Sequence, residues 1–567
     1  MYILSICDGH NASVALSKNG EVIFAISEER LAREKNYFGW PALSLAHIDE
    51  NYVSISAIDK VVMYREDVAD YLAFLIPEHI ESLSAKSIWK KTITRISLKA
   101  RKAVNNSLFE SWLLRYYSKK LGVSSDKFML LNHHKAHAYA SFSEISACSE
   151  KWLHFVLDGE GDGISTSVLQ FRDDDLEIIS SNNRHNSLGH FYSQVTSYLG
   201  MKPNQHEFKV MGLEPYADRD SKGFKSCYQK FDNIVQVKNG KVCFSISPAT
   251  LKFKDYLYKN LSGERFDNVA AAAQIILEDI VIAYVKYWMN KQSIFQISMS
   301  GGVAMNVKLM QRLYEQDYID KIYVVPSSGD ESCVLGCLNF LALGNGLELK
   351  KIKNLYLGVE RNFKKEVESL RERRSDLSIE HYTDIDTEVA KLLFDGNVVA
   401  RVCGRDEFGA RALGNRSILA SPKETKVIDL INKQIKDRDF WMPFTPSILI
   451  EKRDDLILNP RMYDASYMNI TFNSTHYAQE VMPAALHPWD KTVRPQFVCK
   501  EKNASYHKLI SKFYEFSGIP SILNTSFNLH GDPNVSSACD AIHAFDKSGL
   551  MFLQIDNYLI RKEKDVL

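Results

Sequence analysis

Three histidines fall within five positions of the segment LNHHKAHAYASF, residues 131–142. His133 and His137 are four residues apart, so a helix would place both imidazoles on one face, where they could share a metal ion. A zinc protease would carry HExxH, with a glutamate base after the first ligand, but His134 stands there. An isolated HxxxH is equally compatible with a packed or exposed histidine pair, so further ligands must come from elsewhere in the chain.

A second group of residues is suited to anion binding. GRDEFGARALGNRS, residues 404–417, places Arg405, Arg411 and Arg416 among glycines. Glycine lets a backbone approach an anion, and arginine offers a bidentate fork. A small phosphate that carries an amide would fit such a site, whereas a surface charge cluster would also explain any single arginine. Polar groups of the same kind follow later in the chain: Lys436, Arg494, Asn524 and Ser526.

Length and composition exclude several classes of protein. At roughly 150 residues per domain, 567 residues predict three or four units. Lys+Arg and Asp+Glu balance at 70 each, whereas a protein that binds duplex nucleic acid usually has a basic excess. The nine cysteines include no CxxC pair, which indicates a reducing compartment. No window approaches about 18 uninterrupted apolar residues, so we expect a cytoplasmic protein with no membrane span and no nucleic-acid partner.

The elements that position these residues follow a repeated order. Strands are predicted over 3–7, 14–17 and 21–26, with a hairpin at Asn19-Gly20 between the last two, and a helix over 27–35 with Ser27 as its cap. LHFVLDGEGDGISTSVLQF, residues 153–171, repeats the order of strand, Asp-Gly turn and strand. We therefore predict that Asp8-Gly9 and Asp158-Gly159 occupy equivalent positions in a duplicated unit.

Two later segments combine a strand, a glycine turn and a helix. They are residues 294–313, with a Gly-Gly turn, and residues 324–343, with Gly329-Asp330 before an apolar helix. Such turns suit a backbone that approaches a nucleotide, although a plain α/β turn is the alternative for each. Two halves that each begin with a β-hairpin and continue into helices predict the actin-like ATPase architecture. The chain becomes polar near 344–354, which predicts a domain boundary between 345 and 375.

The chain resembles, essentially from end to end, the O-carbamoyltransferase family that includes NodU, CmcH and TobZ. The motifs that carry the resemblance are DGHNAS (8–13), HHKAHAYASF (133–142), HEFKVMGLEPYA (206–217), SGGVAMN (300–306), SSGD (327–330), FGARALGNRSIL (408–419) and NTSFN (524–528). The resemblance implies an α/β protein of two parts: a duplicated actin-like (ASKHA/RNase H-like) domain over residues 1–355 and a YrdC-like α/β domain over residues 375–567.

The resemblance also implies an activity. Members of this family move a carbamoyl group from carbamoyl phosphate, through carbamoyl-adenylate, to a hydroxyl of a sugar or natural product. The implied co-substrates are ATP, bound with Mg2+, and carbamoyl phosphate, and the implied resident metal is a divalent ion, often iron (Fe2+). The partner is then a small hydroxylated acceptor, whose identity the sequence leaves open together with a homodimeric state.

The family's functional residues transfer to matching positions of this chain. The metal ligands would be His133, His137, Asp158 and Asp330, with His134 as a neighbour. His10 would assist the attack of the acceptor, although a loop histidine bonded to backbone is the alternative, and Lys209, beside Glu207, would meet phosphate. The remaining assignments are Ser300, Gly301, Gly302, Asn306 and Gly329 for the nucleotide, and Arg411, Lys436, Arg494, Asn524 and Ser526 for carbamoyl phosphate.

Two positions depart from the family pattern. Ala410 replaces the proline of FGPRALG, and Met442 stands where many members have an arginine before Pro-Phe. The second change removes a cation, for which Arg438 could compensate. An actin-like ATP-dependent sugar kinase is the main alternative function. A relative in metallocentre assembly or tRNA modification and a nucleotide-binding regulator are further alternatives.

Overall fold

The chain opens with a hairpin that is part of a five-stranded sheet. The computed structural model describes residues 1–64, 106–145, 150–436 and 439–562. Asn19 and Gly20 have φ values of 51° and 80°, the positive values that a two-residue hairpin turn requires, so the predicted hairpin is confirmed. The strands are β1 (Tyr2–Cys7), β2 (Ser13–Lys18), β3 (Glu21–Ser27), β4 (Lys60–Tyr64) and β5 (Phe128–Leu131), in the order β3-β2-β1-β4-β5.

Helices cover the first sheet. Leu113 and Tyr117 pack with Leu4 and Ile6 of β1 in one buried apolar cluster, because alternate residues of the strand face this side. The helices of this half, within the described part of the chain, are α1 (Glu29–Ala32), α2 (Ala42–Asn51), α3 (Asn106–Leu121), α4 (His133–Tyr139) and α5 (Phe142–Ile145).

The predicted helix over residues 27–35 is wrong in its limits and its cap. Helix α1 is only one turn long, and Arg33, with a φ of 59°, ends it. Ser27 belongs to β3 and does not cap the helix. The carboxylate of Glu28 instead accepts a hydrogen bond of 2.9 Å from the backbone N of Ser44, in the first turn of α2. The left-handed conformation of Arg33 therefore ends the helix where the local sequence favours its continuation.

The second half contains a sheet of the same size. Its strands are β6 (Leu153–Gly161), β7 (Ile164–Arg172) and β8 (Asp175–Asn183), a separate hairpin of β9 (Val235–Lys238) and β10 (Lys241–Phe244), then β11 (Gln296–Ser300) and β12 (Lys321–Val324). Its helices are α6 (Leu188–Tyr198), α7 (Glu207–Leu213), α8 (Lys222–Asp232), α9 (Leu251–Leu261), α10 (Phe266–Gln292), α11 (Val307–Tyr314) and α12 (Cys333–Gly344).

The two sheets have the same topology. Strand β1 pairs antiparallel with β2 and parallel with β4, and β6 pairs antiparallel with β7 and parallel with β11. The orders β3-β2-β1-β4-β5 and β8-β7-β6-β11-β12 therefore correspond strand by strand. The predicted duplication is confirmed, and it places Asp8 and Asp158 at equivalent points.

One helix is long and apolar enough to cross a membrane by length and composition. This helix, α10, has 27 residues, and 78% of its most apolar window is buried inside the protein. Its alanines and Val281 contribute to the largest apolar cluster of the second half. The apolar surface of α10 is therefore used for packing inside the fold.

An eight-stranded sheet dominates the C-terminal part. Its strands, with the short pair β17–β18, are β13 (Leu377–His381), β14 (Val399–Val402), β15 (Arg416–Ala420), β16 (Thr445–Leu449), β17 (Phe472–Asn473), β18 (Thr492–Val493), β19 (Gln496–Val498), β20 (Ser521–Ser526), β21 (Phe552–Ile555) and β22 (Tyr558–Lys562). The sheet order is β13-β22-β21-β14-β15-β20-β16-β19. The helices are α13 (Phe363–Arg373), α14 (Ile385–Phe394), α15 (Lys426–Ile431), α16 (Arg453–Leu456), α17 (His476–Val481), α18 (Ala504–Ser517) and α19 (Ala538–Asp546).

Core membership changes between α12 and α13. Leu355 and Leu357 belong to an apolar core that residues of both halves form, whereas Phe363 and Val367 belong to the core of the eight-stranded sheet. This change falls near the domain boundary that the composition predicts, although the proposed domain limits stay a prediction. The eight cysteines in the described ranges are free thiols.

Candidate active site

Helix α4 carries the HxxxH pair and begins at a strong cap. The side chain of Asn132 accepts hydrogen bonds from the backbone N of His134 and Lys135, which fixes the first turn. The helix then lies against α12: a Cβ on Gly336 would come 1.8 Å from the carbonyl oxygen of Ala136, so only glycine permits this approach. The close packing brings α4 next to the Gly329-Asp330 turn that precedes α12.

Asp158 reaches the same place from the second sheet. Its Oδ1 accepts a hydrogen bond of 3.0 Å from the backbone N of Gly302, in the turn after β11. Its Oδ2 lies 3.4 Å from Nε2 of His133. Gly161 leaves room for this contact, because a Cβ there would lie 2.3 Å from the imidazole of His133. The loop after Asp158-Gly159 therefore leaves space for the imidazole ring of His133.

The four residues named as metal ligands from the resemblance lie together. Oδ1 of Asp330 is 3.7 Å from Nε2 of His133 and 3.5 Å from Nε2 of His137. One ligand atom from each of His133, His137, Asp158 and Asp330 can be chosen so that all four lie within 4.8 Å of one another. Two imidazoles and two carboxylates form a donor set that suits a divalent transition metal.

Three imidazole nitrogens of the cluster also lack a hydrogen bond to any residue that the structure describes. Nε2 of His133 and both ring nitrogens of His137 are buried, and none has a hydrogen-bond partner within the described segments. Buried polar atoms rarely lack a partner unless an ion or ligand satisfies them. His134 differs, since its Nδ1 and Nε2 contact Ser167 Oγ at 2.7 Å and the Ile164 carbonyl at 3.0 Å. The residues present therefore fit a metal ion, with His134 outside its coordination.

The charges of the cluster stabilise one another. Burial by itself lowers the pKa of His133, but the carboxylates of Asp158 and Asp330 outweigh it and raise that pKa to about 9. In turn, the histidines hold the pKa of Asp158 far below its usual range, against the effect of burial. Burial lowers the pKa of His134 to about 3, so this ring stays neutral. The four-residue cluster therefore holds protons or a metal ion in competition.

The sequence interpretation missed a thiol beside the cluster. Cys333 Sγ lies within 4.8 Å of nitrogens from His133 and His137 and is buried. Its position three residues after Asp330, on the first turn of α12, was the available signal. Burial raises the pKa of this thiol well above its usual range.

The residues assigned to the nucleotide line the turns around the cluster. Gly301, with a φ of 87°, passes so close to β6 that a Cβ would lie 2.4 Å from the Leu157 carbonyl oxygen. Ser300 ends β11, and Gly329 precedes Asp330. Asn306 has a structural task, because its side chain caps α11 and bonds Gln274 at 2.8 Å.

The two residues assigned to catalysis lie on different segments. His10 is exposed in the loop after β1, and its imidazole makes no hydrogen bond to backbone or side chain within the described ranges. Lys209 lies on α7, where its Nζ is 2.8 Å from a carboxylate oxygen of Asp439. Glu207 accepts a bond of 2.6 Å from the backbone N of Asn204 and so orders the start of that helix.

The three arginines of the glycine-rich segment have different environments. Arg416 is fully buried and forms an ion pair with Asp406, and Arg405 bonds the carbonyl oxygens of Gly358 and Leu357. Arg411 is partly buried and has no hydrogen bond or ion pair among the described residues; burial lowers the pKa of its guanidinium. Of these three arginines, Arg411 is therefore the one available to an anion.

Arg411 faces the turn that leads to Asp330. It lines a small cavity together with Ser327 and Ser328 of SSGD, and Ala410 lines the same cavity. The segment around Ala410 therefore places Arg411 beside Ser327 and Ser328. It does so although the proline of the family pattern is absent. Met442 packs against α7, since a Cβ on Gly212 would lie 3.3 Å from its sulfur. Arg438 lies outside the described residues.

The other residues assigned to carbamoyl phosphate form two bonded groups. Lys436, in a π-helical turn, donates to Ser526 Oγ at 3.1 Å and to Asn528 Oδ1 at 2.8 Å. Asn524, two residues earlier on β20, donates to the Ala412 carbonyl and to Gln496, each at 3.1 Å. Gln496 lies two residues after Arg494, so Asn524 links the segments that carry Arg411, Arg494 and Ser526. The side chain of Asn524 is buried and acts as this link.

Sequence comparison identifies the family. The pattern described as Carbamoyltransferase N-terminus matches residues 3–338, and that described as Carbamoyltransferase C-terminus matches residues 390–562. The chain belongs to the carbamoyltransferase family. The membership that the sequence motifs indicate is therefore confirmed, and the two matches cover both parts of this carbamoyltransferase.

The chain is also similar to individual proteins. The uncharacterized protein MJ1051 of Methanocaldococcus jannaschii is 33% identical over 99% of this chain and 100% of its own length. Nodulation protein NolNO of Sinorhizobium fredii is 28% identical over 98% of this chain and 79% of its own. Among solved structures, HypF of T. kodakarensis is 12% identical and covers 61% of this chain and 48% of its own, with a TM-score of 0.34.

Proposed function

We propose that this carbamoyltransferase is an O-carbamoyltransferase that uses carbamoyl phosphate and ATP. In the first step, carbamoyl phosphate, ATP and one water give carbamoyl-adenylate, pyrophosphate and phosphate. In the second, a hydroxyl of a sugar or natural product attacks the carbamoyl carbon, AMP leaves, and the hydroxyl proton is lost. The free thiols of the described cysteines fit the reducing cytoplasm, which we propose as its compartment.

The observation that carries the proposal is the convergence of motifs at one point. The Gly329-Asp330 turn comes more than 150 residues after the HxxxH helix and the Asp158-Gly159 loop. The polar atoms of all three nevertheless meet within 4.8 Å. Buried carboxylates and imidazoles of this kind cost free energy unless they bind something. The glycines beside them, Gly301 and Gly302, let the turn after β11 pass close to Leu157 and Asp158, which brings its backbone next to the cluster.

The four clustered side chains would hold a divalent ion, for which we propose iron. His133, His137, Asp158 and Asp330 would be its ligands, and Gly302 would orient Asp158 through the bond to Oδ1. When bound, such an ion supplies positive charge that stabilises the phosphate of the adenylate leaving group. Mg2+ would accompany ATP in its own binding site.

The remaining roles follow from the environment of each side chain. His10, exposed and without a bonding partner among the described residues, is the candidate base for the acceptor hydroxyl. Arg411, which has no ion pair with the residues that the structure describes, would offer its guanidinium to the phosphate of the donor. Lys436 and Ser526 would exchange their mutual bond for the donor. Lys209 would exchange Asp439 for a phosphate in the same way. We propose the actin-like and YrdC-like architectures for the two parts on the basis of the family motifs.

The first step can be tested without knowing the acceptor. Purified protein is incubated with ATP and Mg2+, with and without carbamoyl phosphate, and pyrophosphate and carbamoyl-adenylate are measured. We expect pyrophosphate that depends on carbamoyl phosphate and that falls at least about 100-fold in Arg411→Ala, since a charged donor to the phosphate is lost. Arg373→Ala, which removes an exposed arginine of α13, should leave the rate unchanged.

The outcomes separate the proposed activity from its main alternative. ADP formed from ATP without carbamoyl phosphate, when a sugar is added as phosphoryl acceptor, would identify an actin-like sugar kinase and would contradict the proposal. Pyrophosphate formed equally well by Arg411→Ala would keep the carbamoyltransferase activity but move the donor site away from this arginine.

A further inference from the structure

A buried thiol adjoins the four side chains that would hold the metal ion. Cys333 is fully buried. Its Sγ and one ring nitrogen each of His133 and His137 form a second group of atoms that all lie within 4.8 Å of one another. This group shares both histidines with the group that contains Asp158 and Asp330. Because no group among the described residues joins the sulfur to both carboxylates, the thiol adjoins the imidazole side of the cluster.

The packing of two helices places the thiol beside the imidazoles. Gly336 of α12 meets α4 so closely that a Cβ would lie 1.8 Å from the carbonyl oxygen of Ala136. Cys333 precedes Gly336 by three residues and therefore lies on the same face of α12, toward α4. The contact between the helices thus holds the sulfur near His133 and His137 whether or not an ion is bound.

The spacing of these atoms fits an ion and leaves no space for a larger molecule. A zinc ion lies about 2.0–2.1 Å from a histidine nitrogen and about 2.3 Å from a thiolate sulfur, so a nitrogen and a sulfur on one ion are at most about 4.4 Å apart. The 4.8 Å limit of the group is close to this span. Ligand atoms that enclose an ion are shielded from water, so the burial of His137 and Cys333 agrees with a metal site. The side chain of Asp330 is 28% exposed and connects the cluster to solvent.

The polar atoms on this side of the cluster have no other partner in the described parts of the chain. Both ring nitrogens of His137 are buried and make no hydrogen bond there, although Nε2 lies 3.5 Å from Oδ1 of Asp330. Cys333 makes no hydrogen bond to a described residue either, whereas Sγ of Cys7, another buried thiol, lies 2.7 Å from Tyr64 Oη. An ion between the imidazole and the thiol would satisfy both.

We propose that Cys333 is a fifth ligand of the ion that the four clustered side chains hold. This inference rests on the proposed metal site and adds sulfur to its donor set. When the ion binds, the thiol proton leaves to solvent and the thiolate bonds the ion. A thiolate favours Fe2+, Co2+ and Zn2+ over Mg2+ and Mn2+, which prefer oxygen ligands. The sulfur would therefore keep the Mg2+ that accompanies ATP out of this site.

Cobalt substitution detects a sulfur ligand directly. The full chain is freed of metal under reducing conditions, titrated with Co2+ and followed by absorption spectroscopy. We expect visible d–d bands, which report bound Co2+, together with a near-ultraviolet band of sulfur-to-cobalt charge transfer. Cys333→Ser and Cys333→Ala should lose the charge-transfer band and keep the visible bands, because four ligands remain. Cys337→Ser should keep both, since it changes a buried thiol of the same helix that belongs to no such group in the described ranges.

The selectivity of the site for metal ions gives a second measurement. Zn2+ and Mn2+ are offered together to the metal-free chain, and the bound ions are counted by mass spectrometry. The ratio of bound Zn2+ to bound Mn2+ should fall at least about tenfold in Cys333→Ala relative to the parent and to Cys337→Ser, because the softer ion loses its sulfur ligand.

The outcomes separate the role of the thiol from the metal site itself. A parent that binds Co2+ without the charge-transfer band overturns sulfur ligation and leaves the four-ligand site intact. Sulfur ligation is also overturned if both variants of Cys333 keep the band, or if Cys337→Ser loses it. A parent that binds neither Co2+ nor Zn2+ overturns the proposed metal site together with this inference, while the pyrophosphate assay tests the donor reaction independently of both.

Discussion

The Asp-Gly loops of the two halves occupy equivalent points of one topology but have different environments. In the first half, the carboxylate of Asp8 accepts a hydrogen bond from the hydroxyl of Tyr117. In the second, Asp158 accepts from the backbone N of Gly302 and turns its other oxygen toward His133. The strands differ too: Leu4 pairs with Val61 in β4, whereas the equivalent His154 pairs with Ser298 in β11.

This difference shows how one duplicated frame can hold two kinds of site. The shared topology fixes where each loop ends, but the partner packed against the loop decides its chemistry. A tyrosine hydroxyl satisfies Asp8, while the partners of Asp158 are imidazoles that themselves need a ligand. Substitutions in one loop and not in the other can therefore test whether the halves have separated in function.

The largest effect is expected from the aspartate of the second loop. Asp158→Asn removes one of two negative charges from the cluster, so metal affinity should fall at least about 100-fold. Metal content by mass spectrometry is the measurement. Asp8→Asn, the matched change in the first loop, should retain the metal; equal metal loss in both variants would contradict the asymmetry of the halves.

The next effect concerns acid stability. Burial lowers the pKa of His154 to about 3, below the value near 6.5 in the unfolded chain. Because the folded protein then binds fewer protons than the unfolded chain, the free energy of unfolding falls as the pH drops from 6.5 toward 3. At pH 4 this loss is about 3 kcal/mol. Replacing the pair by that of the first half, His154→Leu with Ser298→Val, should remove this loss.

Urea unfolding at pH 7 and pH 4 measures the difference. The free energy of unfolding of the double variant should fall less between the two pH values than that of the parent. His476→Leu changes a histidine whose side chain is 88% exposed. Its free energy of unfolding should fall between pH 7 and pH 4 by as much as that of the parent. A double variant with the parent's pH dependence would show that His154 does not distinguish the two sheets.

A smaller effect is expected where the second loop makes room for the histidine. A Cβ on Gly161 would lie 2.3 Å from the His133 ring, so Gly161→Ala should displace this ligand and lower metal affinity about 10- to 100-fold without removing a donor. Gly159→Ala is the matched control, because no atom lies within 4 Å of the added Cβ. Equal metal affinities of the two variants would rule out the steric argument.

The smallest effect belongs to the first loop. Tyr117→Phe removes the hydroxyl that bonds Asp8, so the free energy of unfolding should fall by about 2 kcal/mol while metal content stays constant. Tyr258→Phe, at an exposed tyrosine, should change stability by less than about 0.5 kcal/mol. Metal loss in Tyr117→Phe would mean that the first loop also supports the cluster.

Much of the fold and part of the candidate site could be predicted. The Asn19-Gly20 hairpin and the duplicated strand order depend on neighbouring residues, and both are present. The predicted limits of the helix at 27–35 were wrong because Arg33 adopts a left-handed conformation that ends the helix after Ala32. Cys333 was missed as a neighbour of the cluster, since nothing in its own segment indicates that α4 packs beside it.

The sequence by itself determined the family, the repeated strand order and the spacing of His133 and His137 on one helix face, because backbone geometry fixes these over a few residues. Tertiary structure alone decided which polar side chains lack a hydrogen-bond or ion-pair partner among the described residues. It buried Arg416 on Asp406 but left Arg411 without a hydrogen bond or ion pair within the described chain. Such partners come from segments far apart in the chain, and only packing brings them together.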